Sequence, residues 1–406
     1  MSASRSIAPS APPSVPLCEP AIAGREWEYV KSCLDTGWVS SVGAYVDRFE
    51  AAVAGAVGAR HAVATVNGTS ALHIALQVAG VGPGDEVLVS SLTFIAPANA
   101  IRYVGAHPLF VDAEPAYWQM DSALVSRFLA ESCVPGPRGL VNRSTGRRIG
   151  AILPVHALGH PVDLAPILAA AGEHDVPVIE DATESLGATY RGTPVGHLGD
   201  VACFSFNGNK LITTGGGGML VTDRLDWATR ARYLTTQAKA DPIEYVHTEV
   251  GYNYRLTNVL AAIGLAQMER LDECLGAKRR IAELYASALG NLPGVTLMPE
   301  APWARSVFWL YTILLDARAP VSSRELLTRL AMRGIQTRPL WQPLHCSPAH
   351  AGSPTLGGAV AERLNREALS LPCSVGLQPE TQRYVIDRIL ELAGEPVTPA
   401  QGHPGG

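Results

Sequence analysis

The chain has 406 residues, of which 32 are basic and 37 acidic, so its formal net charge at pH 7 is −5. The charges form no block of one sign, which argues against a nucleic-acid or membrane-surface partner. The seven cysteines are scattered and include no CxxC pair, which argues against a disulfide framework and against a zinc site. Without a signal peptide or a long uncharged apolar stretch, we expect a soluble, cytoplasmic protein.

We expect two domains between two tails. Residues 1–14 are rich in Ser, Ala and Pro and are predicted to be a disordered leader, and residues 396–406 a flexible tail. Residues 15–275 would form a large domain with an N-terminal arm. Residues 276–395 would form a smaller C-terminal domain.

Between residues 60 and 225, apolar runs alternate with helical patterns, which predicts a doubly wound α/β domain with a mostly parallel sheet. The predicted strands are 62–66, 86–90, 108–111, 151–155, 177–180, 201–206 and 219–222. The predicted helices are 70–80, 96–104, 122–131 and 164–174. A long helical stretch at 257–288 would lead to an α+β domain with a strand at 308–315 and helices at 323–333, 360–369 and 380–391.

The first candidate site follows strand 62–66, because ligands of such sheets bind at the carboxyl ends of the strands. Gly68, Thr69 and Ser70 open an apolar helix there. Free N–H groups, two hydroxyls and the positive end of the helix dipole suit a phosphate. An ordinary helix cap explains the same residues, and on this segment alone it is the better interpretation.

Three further strand ends carry candidate side chains. Phe94, after strand 86–90, could stack on a flat ring or belong to the core. His156, after strand 151–155, is more typical of a hydrogen-bonded core residue than of a catalyst. Glu180 and Asp181 end strand 177–180 and point to opposite faces, so only one can reach a shared site. A carboxylate beside a pyridine nitrogen would keep that nitrogen protonated, although it could equally complement a helix dipole.

Lys210 lies between strand 201–206 and the glycine run 215–218, with no acidic residue within five positions. A partly buried lysine without a nearby acid can lose its proton and attack a carbonyl to form a Schiff base. The alternative is a surface lysine in a hairpin loop. Taken together, a phosphate cradle, an aromatic ring, a carboxylate and a lysine at successive strand ends are the parts of a pyridoxal 5'-phosphate site.

Several segments resemble the DegT/DnrJ/EryC1/StrS family of pyridoxal-phosphate-dependent nucleotide-sugar aminotransferases, over nearly all of residues 15–392. They are VNGTSALHIAL, GDEVLVSSLTFIAPANAI, VIEDATESLGATYRG, GDVACFSFNGNKLITTGGGGML, GYNYRLTNVLAAIGLAQM and RPLWQPLH. The resemblance implies fold type I of the pyridoxal phosphate enzymes, a seven-stranded mostly parallel sheet with a smaller C-terminal α+β domain. It also implies a homodimer with shared active sites and L-glutamate as the amino donor.

The resemblance also implies roles for single residues. Lys210 would form the Schiff base and move the proton, Asp181 would pair with the pyridine nitrogen, and Phe94 would stack on the ring. Glu184 stands near the ring's 3′ oxygen, where many members of the family have Gln or His. The residues implied to hold phosphate are Gly68, Thr69 and Ser205, with Asn253 reaching the phosphate of the partner subunit's cofactor.

For the substrate, residues 15–50 are similar to members that act on the C4 ketone of 4-keto-6-deoxy sugars. They are most similar to the legionaminic-acid branch, which aminates a UDP-linked 2-acetamido-2,6-dideoxy-4-ketohexose. The alternatives are a GDP-perosamine synthase and a non-catalytic regulatory relative. The arginines of loop 142–149 could meet a diphosphate, but a solvated hairpin is the better interpretation. The candidate substrate contacts are Trp38, His156, Lys239, Arg338 and His345.

Overall fold

The computed structural model describes residues 14–241 and 243–394. The predicted leader, except for Ser14, and the predicted tail therefore lie outside the described residues. In the described part of the chain, no helix is both long enough and apolar enough to cross a membrane.

The centre of the molecule is a mixed sheet that consists of two hydrogen-bonded halves. Single backbone pairings, Ile152 with Val178 and Val155 with Asp181, join the halves. Among the described strands of this sheet, Gly218–Thr222 is antiparallel to its neighbours, and the other strands share one direction. The order across the sheet is His61–Thr65, Gly218–Thr222, Val201–Ser205, Ile179–Asp181, Ile149–Leu153, Glu86–Ser90, His107–Val111 and Thr355–Leu356. The predicted fold class, with its mostly parallel sheet, is confirmed.

Helices cover both faces of the sheet. Successive residues of a strand pack alternately into two separate hydrophobic clusters. Val63 and Cys203 belong to one cluster, whereas Ala64 and Phe204 belong to the other. This is the alternation that a pleated strand imposes. The helices are Glu26–Thr36, Ala44–Val57, Gly68–Val78, Ala96–Tyr103, Ser122–Ser132, Leu164–Gly172, Leu225–Thr235, Asn258–Met268, Leu271–Leu289, Ser323–Ala331, Ala359–Glu367 and Pro379–Gly394.

A second, antiparallel sheet lies in the C-terminal part of the chain, with Tyr311–Leu315 between Val295–Leu297 and Ala368–Leu371. The predicted boundary at residue 275 falls inside the helix Leu271–Leu289, and Thr355–Leu356 return to the large sheet. The small hairpins are Cys133–Gly136 with Gly139–Asn142, Lys239–Asp241 with Val246–His247, and Thr189–Tyr190 with Thr193–Pro194 and Ala304–Arg305.

Two helix predictions differ from the structure. The stretch 257–288 is two helices, because Arg270 leaves helical geometry at φ −114° and ψ 12°. The stretch 360–369 ends as a helix at Glu367, and Ala368–Leu371 form a strand instead. Its four residues are buried, and they pair with Tyr311–Leu315, so tertiary pairing overrides the local helical signal.

Candidate active site

A cavity of about 380 Å³ opens at the carboxyl ends of the central strands. The first turn of helix Gly68–Val78, the end of strand Ile179–Asp181 and the segment 205–210 line it together with two tryptophans. All the cofactor-binding candidates except Asn253 line this cavity: Gly68, Thr69, Phe94, Asp181, Glu184, Ser205 and Lys210. Asn253 is exposed elsewhere, and its backbone pairs with Thr236. Its predicted contact is with a partner subunit, so it stays a prediction.

The helix N-terminus at the cavity is packed too tightly for larger residues. A Cβ on Gly68 would lie 2.9 Å from the Cβ of Ser205, and one on Gly218 would lie 2.3 Å from the Asn67 carbonyl oxygen. The Asn67 side chain caps the helix by accepting the Ser70 N–H at 2.8 Å. The cap is therefore Asn67. Thr69 and Ser205 line the cavity beside the helix N-terminus, and this group, called the anion cradle below, suits an anion.

Glu180 and Asp181 point to opposite sides of their strand. The buried Glu180 accepts hydrogen bonds from the N–H groups of Gly196, Leu198 and Gly199 and from His156. Burial opposes its ionisation, but these hydrogen bonds lower the pKa of Glu180 below its ordinary value. Glu180 is therefore an ionised carboxylate that holds a loop.

Asp181 lines the cavity and has few partners. Its Oδ1 accepts the Thr183 N–H at 3.1 Å. Burial raises the pKa of Asp181, and Thr183 and the charge of Lys210 offset this effect only in part. A buried carboxylate in this state is stabilised by a cationic N–H placed against it. A protonated pyridine nitrogen is such a group.

The structure contradicts the expectation that His156 contacts a sugar. The ring is fully buried, and its Nδ1 accepts the Val162 N–H at 3.1 Å. Its proton therefore sits on Nε2 and is donated to Glu180 at 3.1 Å. Both ring nitrogens are engaged in the core, away from the cavity surface. The core interpretation of this histidine is the correct one.

Lys210 has a partner that its sequence neighbours did not show. Its Nζ lies 3.3 Å from Glu184 Oε1 and 4.0 Å from the centre of the Trp309 ring. Glu184 Oε2 accepts the N–H of Leu158, a residue in left-handed geometry with φ 59°. Burial raises the pKa of Glu184, and the charge of Lys210 works against that rise. Lys210 and Glu184 therefore form a partly buried pair at the cavity.

Trp309 and Trp341 are cavity residues that sequence reasoning missed. Their rings stack with centroids 6.4 Å apart and planes 6° apart, and Trp309 Nε1 donates to the Asn209 carbonyl at 2.7 Å. Trp309 stands in an apolar run predicted as strand 308–315, where a tryptophan is typical of the core. The positive φ of Phe308 delays the strand until Tyr311 and leaves Trp309 at the cavity.

The four other candidate substrate contacts lie outside the residues that line the cavity. Trp38 is exposed, and the Nζ of Lys239 lies 4.4 Å from the centre of the Tyr245 ring. Arg338 donates to the carbonyl of its neighbour Thr337. In this subunit none of these three reaches the cofactor candidates, so their contacts with substrate stay predictions.

His345 is held between two polar side chains. Its Nδ1 lies 2.6 Å from the Ser91 Oγ and its Nε2 lies 3.2 Å from Glu362 Oε1. Potential ligand atoms of His345, Cys346 and Glu362 lie within 4.8 Å of one another. Cys346 and Glu362 are exposed.

Two of the three arginines of loop 142–149 are held in ion pairs away from the cavity. Arg147 Nη1 lies 3.3 Å from Glu86 Oε1, and Arg148 makes a two-pronged contact with Asp85. Both acids stand at the amino end of strand Glu86–Ser90, whereas the cavity is at the carboxyl ends. Arg147 and Arg148 therefore form ion pairs at the amino ends of the strands, opposite the cavity.

The cavity residues fit pyridoxal phosphate. Thr69, Ser205 and the free N–H groups would hold the phosphate, and Lys210 would bond to the aldehyde. The buried Asp181 would meet the pyridine nitrogen, and Phe94 lies at the cavity surface where a ring can stack. When bound, the cofactor supplies an electron sink for the carbanion that forms at a substrate carbon. Fold and cavity together are those of a pyridoxal-phosphate-dependent enzyme.

The comparisons with known proteins give the family. Residues 20–390 match the DegT/DnrJ/EryC1/StrS aminotransferase family, and the chain belongs to it. It is 41% identical to GDP-perosamine synthase of Caulobacter vibrioides, over 93% of this chain and 97% of that protein. It is 37% identical to GDP-perosamine synthase of Escherichia coli O157:H7, over 93% of this chain and 98% of the other.

A solved structure supports the same assignment. The fold superposes on the crystal structure of S. venezuelae DesV with a TM-score of 0.84 and 33% sequence identity, covering 94% of this chain and 99% of that one. The family prediction is therefore confirmed. The curated relatives do not single out the legionaminic-acid branch that the sequence favoured.

Proposed function

We propose that the protein transfers an amino group from L-glutamate to C4 of GDP-4-keto-6-deoxymannose, as a GDP-perosamine synthase does. The observation that carries this proposal is 41% identity to such an enzyme over 97% of that enzyme's length. Sequence reasoning favoured a UDP-linked 2-acetamido sugar and kept the GDP sugar as the alternative. The names of the relatives support the alternative better.

Each residue at the cavity has its own role in the proposed transamination. Lys210, as the free amine, would take the proton from the substrate carbon and hold it until it is returned. Glu184, 3.3 Å away, would stabilise the ammonium that Lys210 becomes after taking that proton. Asp181 would pair with the protonated ring nitrogen of the bound cofactor. The anion cradle and Trp309 keep the reacting atoms in place and exclude water from the lysine.

The proposal includes a homodimer with shared active sites, in which Asn253 reaches the partner's phosphate. The cytoplasmic location stays a prediction. A regulatory role without turnover is disfavoured, because Lys210, Asp181 and the anion cradle occur together around one cavity.

A product assay tests the substrate. The purified protein, pyridoxal phosphate and glutamate would receive GDP-4-keto-6-deoxymannose and, separately, the UDP-linked 2-acetamido-4-keto sugar, with mass spectrometry of the products. We expect amination of the GDP sugar. Amination of the UDP sugar alone would overturn the choice of substrate and leave the family assignment intact.

A further inference from the structure

A buried lysine and two thiols lie beside the cavity, and transamination does not use them. Lys278 places its Nζ 3.7 Å from the Cys18 Sγ and 3.6 Å from the Cys373 Sγ. The same ammonium donates to the carbonyl oxygens of Cys373 and Trp309. Lys278 is buried, and among the described residues the two sulfurs are the sites where negative charge can compensate it.

The two cysteines stand on chain segments that run side by side. The Cys373 N–H donates to the Leu17 carbonyl at 2.8 Å, and the Glu19 N–H donates to the Ser374 hydroxyl at 2.9 Å. The Lys278 ammonium lies within 3.7 Å of both sulfurs, which places the two thiols near each other. Adjacent backbones and neighbouring sulfurs are what a disulfide requires.

The surroundings make one sulfur reactive and keep the other protonated. The hydrogen bond from Cys373 and the positive charge of Lys278 lower the pKa of Cys18 to about 6, although burial opposes the change. The hydrogen bond to Cys18 and burial raise the pKa of Cys373. Burial also raises the pKa of Cys133, Cys203 and Cys274. Cys18 therefore stands apart as a thiol that is partly open to solvent and whose lowered pKa favours the nucleophilic thiolate.

We propose that Cys18 and Cys373 are a redox-active dithiol, which a hydroperoxide oxidises to a disulfide that slows the aminotransferase. In the first step the Cys18 thiolate attacks the peroxide. Its O–O bond breaks, one oxygen remains on sulfur as a sulfenic acid, and the other leaves as an alcohol or water after protonation. In the second step the Cys373 sulfur displaces that oxygen as water and forms the S–S bond. The two sulfurs lose two electrons, and the peroxide gains them.

The dithiol contacts the cavity in two places. Cys18 Sγ lies 3.3 Å from the Asn209 carbonyl, next to Lys210. The Lys278 Nζ donates a hydrogen bond to the Trp309 carbonyl oxygen at 2.8 Å. The Trp309 ring in turn faces the Nζ of Lys210. Oxidation removes the negative charge that compensates Lys278 and draws Cys18 toward Cys373. Both changes should shift the segment that positions Lys210. Small displacements of a catalytic group lower the rate by about tenfold or more.

The test uses the reduced holoenzyme, treated with hydrogen peroxide and then mapped by non-reducing peptide mass spectrometry. We expect a cross-linked peptide pair that contains Cys18 and Cys373. The glutamate half-reaction should slow by roughly tenfold and recover with dithiothreitol. A Cys346→Ser variant, which lacks an exposed thiol away from the dithiol, should respond like the wild type. Cys18→Ser should form no cross-link and should lose the sensitivity to peroxide.

A second measurement needs no cysteine variant. The rate at which iodoacetamide alkylates Cys18 should rise to half its maximum near pH 6, and Lys278→Met should move this midpoint upward. Peroxide that leaves Cys18 and Cys373 unlinked, or an inhibition that persists in Cys18→Ser, would overturn the proposal. Because these tests use glutamate alone, failure of the sugar assay is distinguishable from failure of the dithiol.

Discussion

In the proposed function, Asp181 pairs with the cofactor, and the stability of the folded apo-protein suffers for it. Its carboxylate is buried, and burial raises its pKa above the ordinary value of 3.8. An acid whose pKa is higher in the folded state binds its proton more tightly there. Its ionisation therefore weakens the fold as pH rises, and the effect vanishes below the unfolded pKa. A residue kept for function despite such a cost is common at active sites.

We therefore expect Asp181→Asn to stabilise the apo-protein at pH 8. The gain should be about 1–3 kcal/mol, the typical cost of burying a poorly paired polar group. It should shrink as pH falls toward 3.8. With pyridoxal phosphate bound, the wild type should instead be the more stable of the two proteins, because only the wild type can pair a carboxylate with a protonated ring nitrogen. Thermal unfolding with and without the cofactor measures both effects. An apo-variant less stable than the wild type at pH 8 would contradict this account.

At the residue scale, the sequence predicted the direction of a side chain correctly where a single local rule determines it. Strand alternation predicts that Glu180 and Asp181 face opposite ways. It could not show that Glu180 would pair with His156, nor that Glu184 would reach Lys210 from 26 positions away. Such contacts depend on loop paths between strands, which the periodicity of apolar residues does not encode.

At the scale of elements, the anion cradle depends on how closely a strand approaches a helix end. Gly218 begins the strand Gly218–Thr222, and an added Cβ would strike the backbone of Asn67 and Gly68. Backbone atoms cannot swing aside as a flexible side chain can. The strand and the helix N-terminus would have to separate, and the cradle would open.

Gly218→Ala should therefore lower stability by about 1–3 kcal/mol, as overpacking does, and should weaken binding of pyridoxal phosphate. The matched control is Gly55→Ala, at an exposed position of helix Ala44–Val57 where a Cβ would meet nothing within 4 Å. That variant should gain up to about 1 kcal/mol from helix propensity. Chemical denaturation measures the stability of each variant, and titration with pyridoxal phosphate measures how tightly each variant binds the cofactor. Equal behaviour of the two variants would argue against the tight approach.

Seven of the eight described strands of the central sheet were predictable because each is a short apolar run between turn residues, whereas Thr355–Leu356 was not predicted. The C-terminal part was harder. Residues 368–371 have a local pattern that continues a helix, and only their pairing with Tyr311–Leu315 makes them a strand. The helices Glu26–Thr36 and Ala44–Val57 were not predicted, because they lie before the alternating pattern of strands and helices on which the prediction relied.

At the scale of the whole molecule, the proposed homodimer with shared sites makes a prediction about mixed subunits. Lys210→Ala should be inactive, and Asn253→Ala should bind cofactor poorly. If Asn253 serves the partner's site, a heterodimer of the two variants carries one site with both residues intact. Mixing the two variants should then restore activity. No recovery in a mixture shown to contain heterodimers would mean that Asn253 acts within its own subunit or not at all.

The most direct test of the central claim is the absorbance change when holoenzyme meets L-glutamate in a stopped-flow instrument. The account predicts that the wild type bleaches rapidly. Lys210→Ala should be slower by at least about a hundredfold, because a positioned general base contributes that much or more. Lys31→Ala, which removes an exposed lysine paired with Asp35, should match the wild type. Bleaching of Lys210→Ala at a rate near that of the wild type would contradict the account.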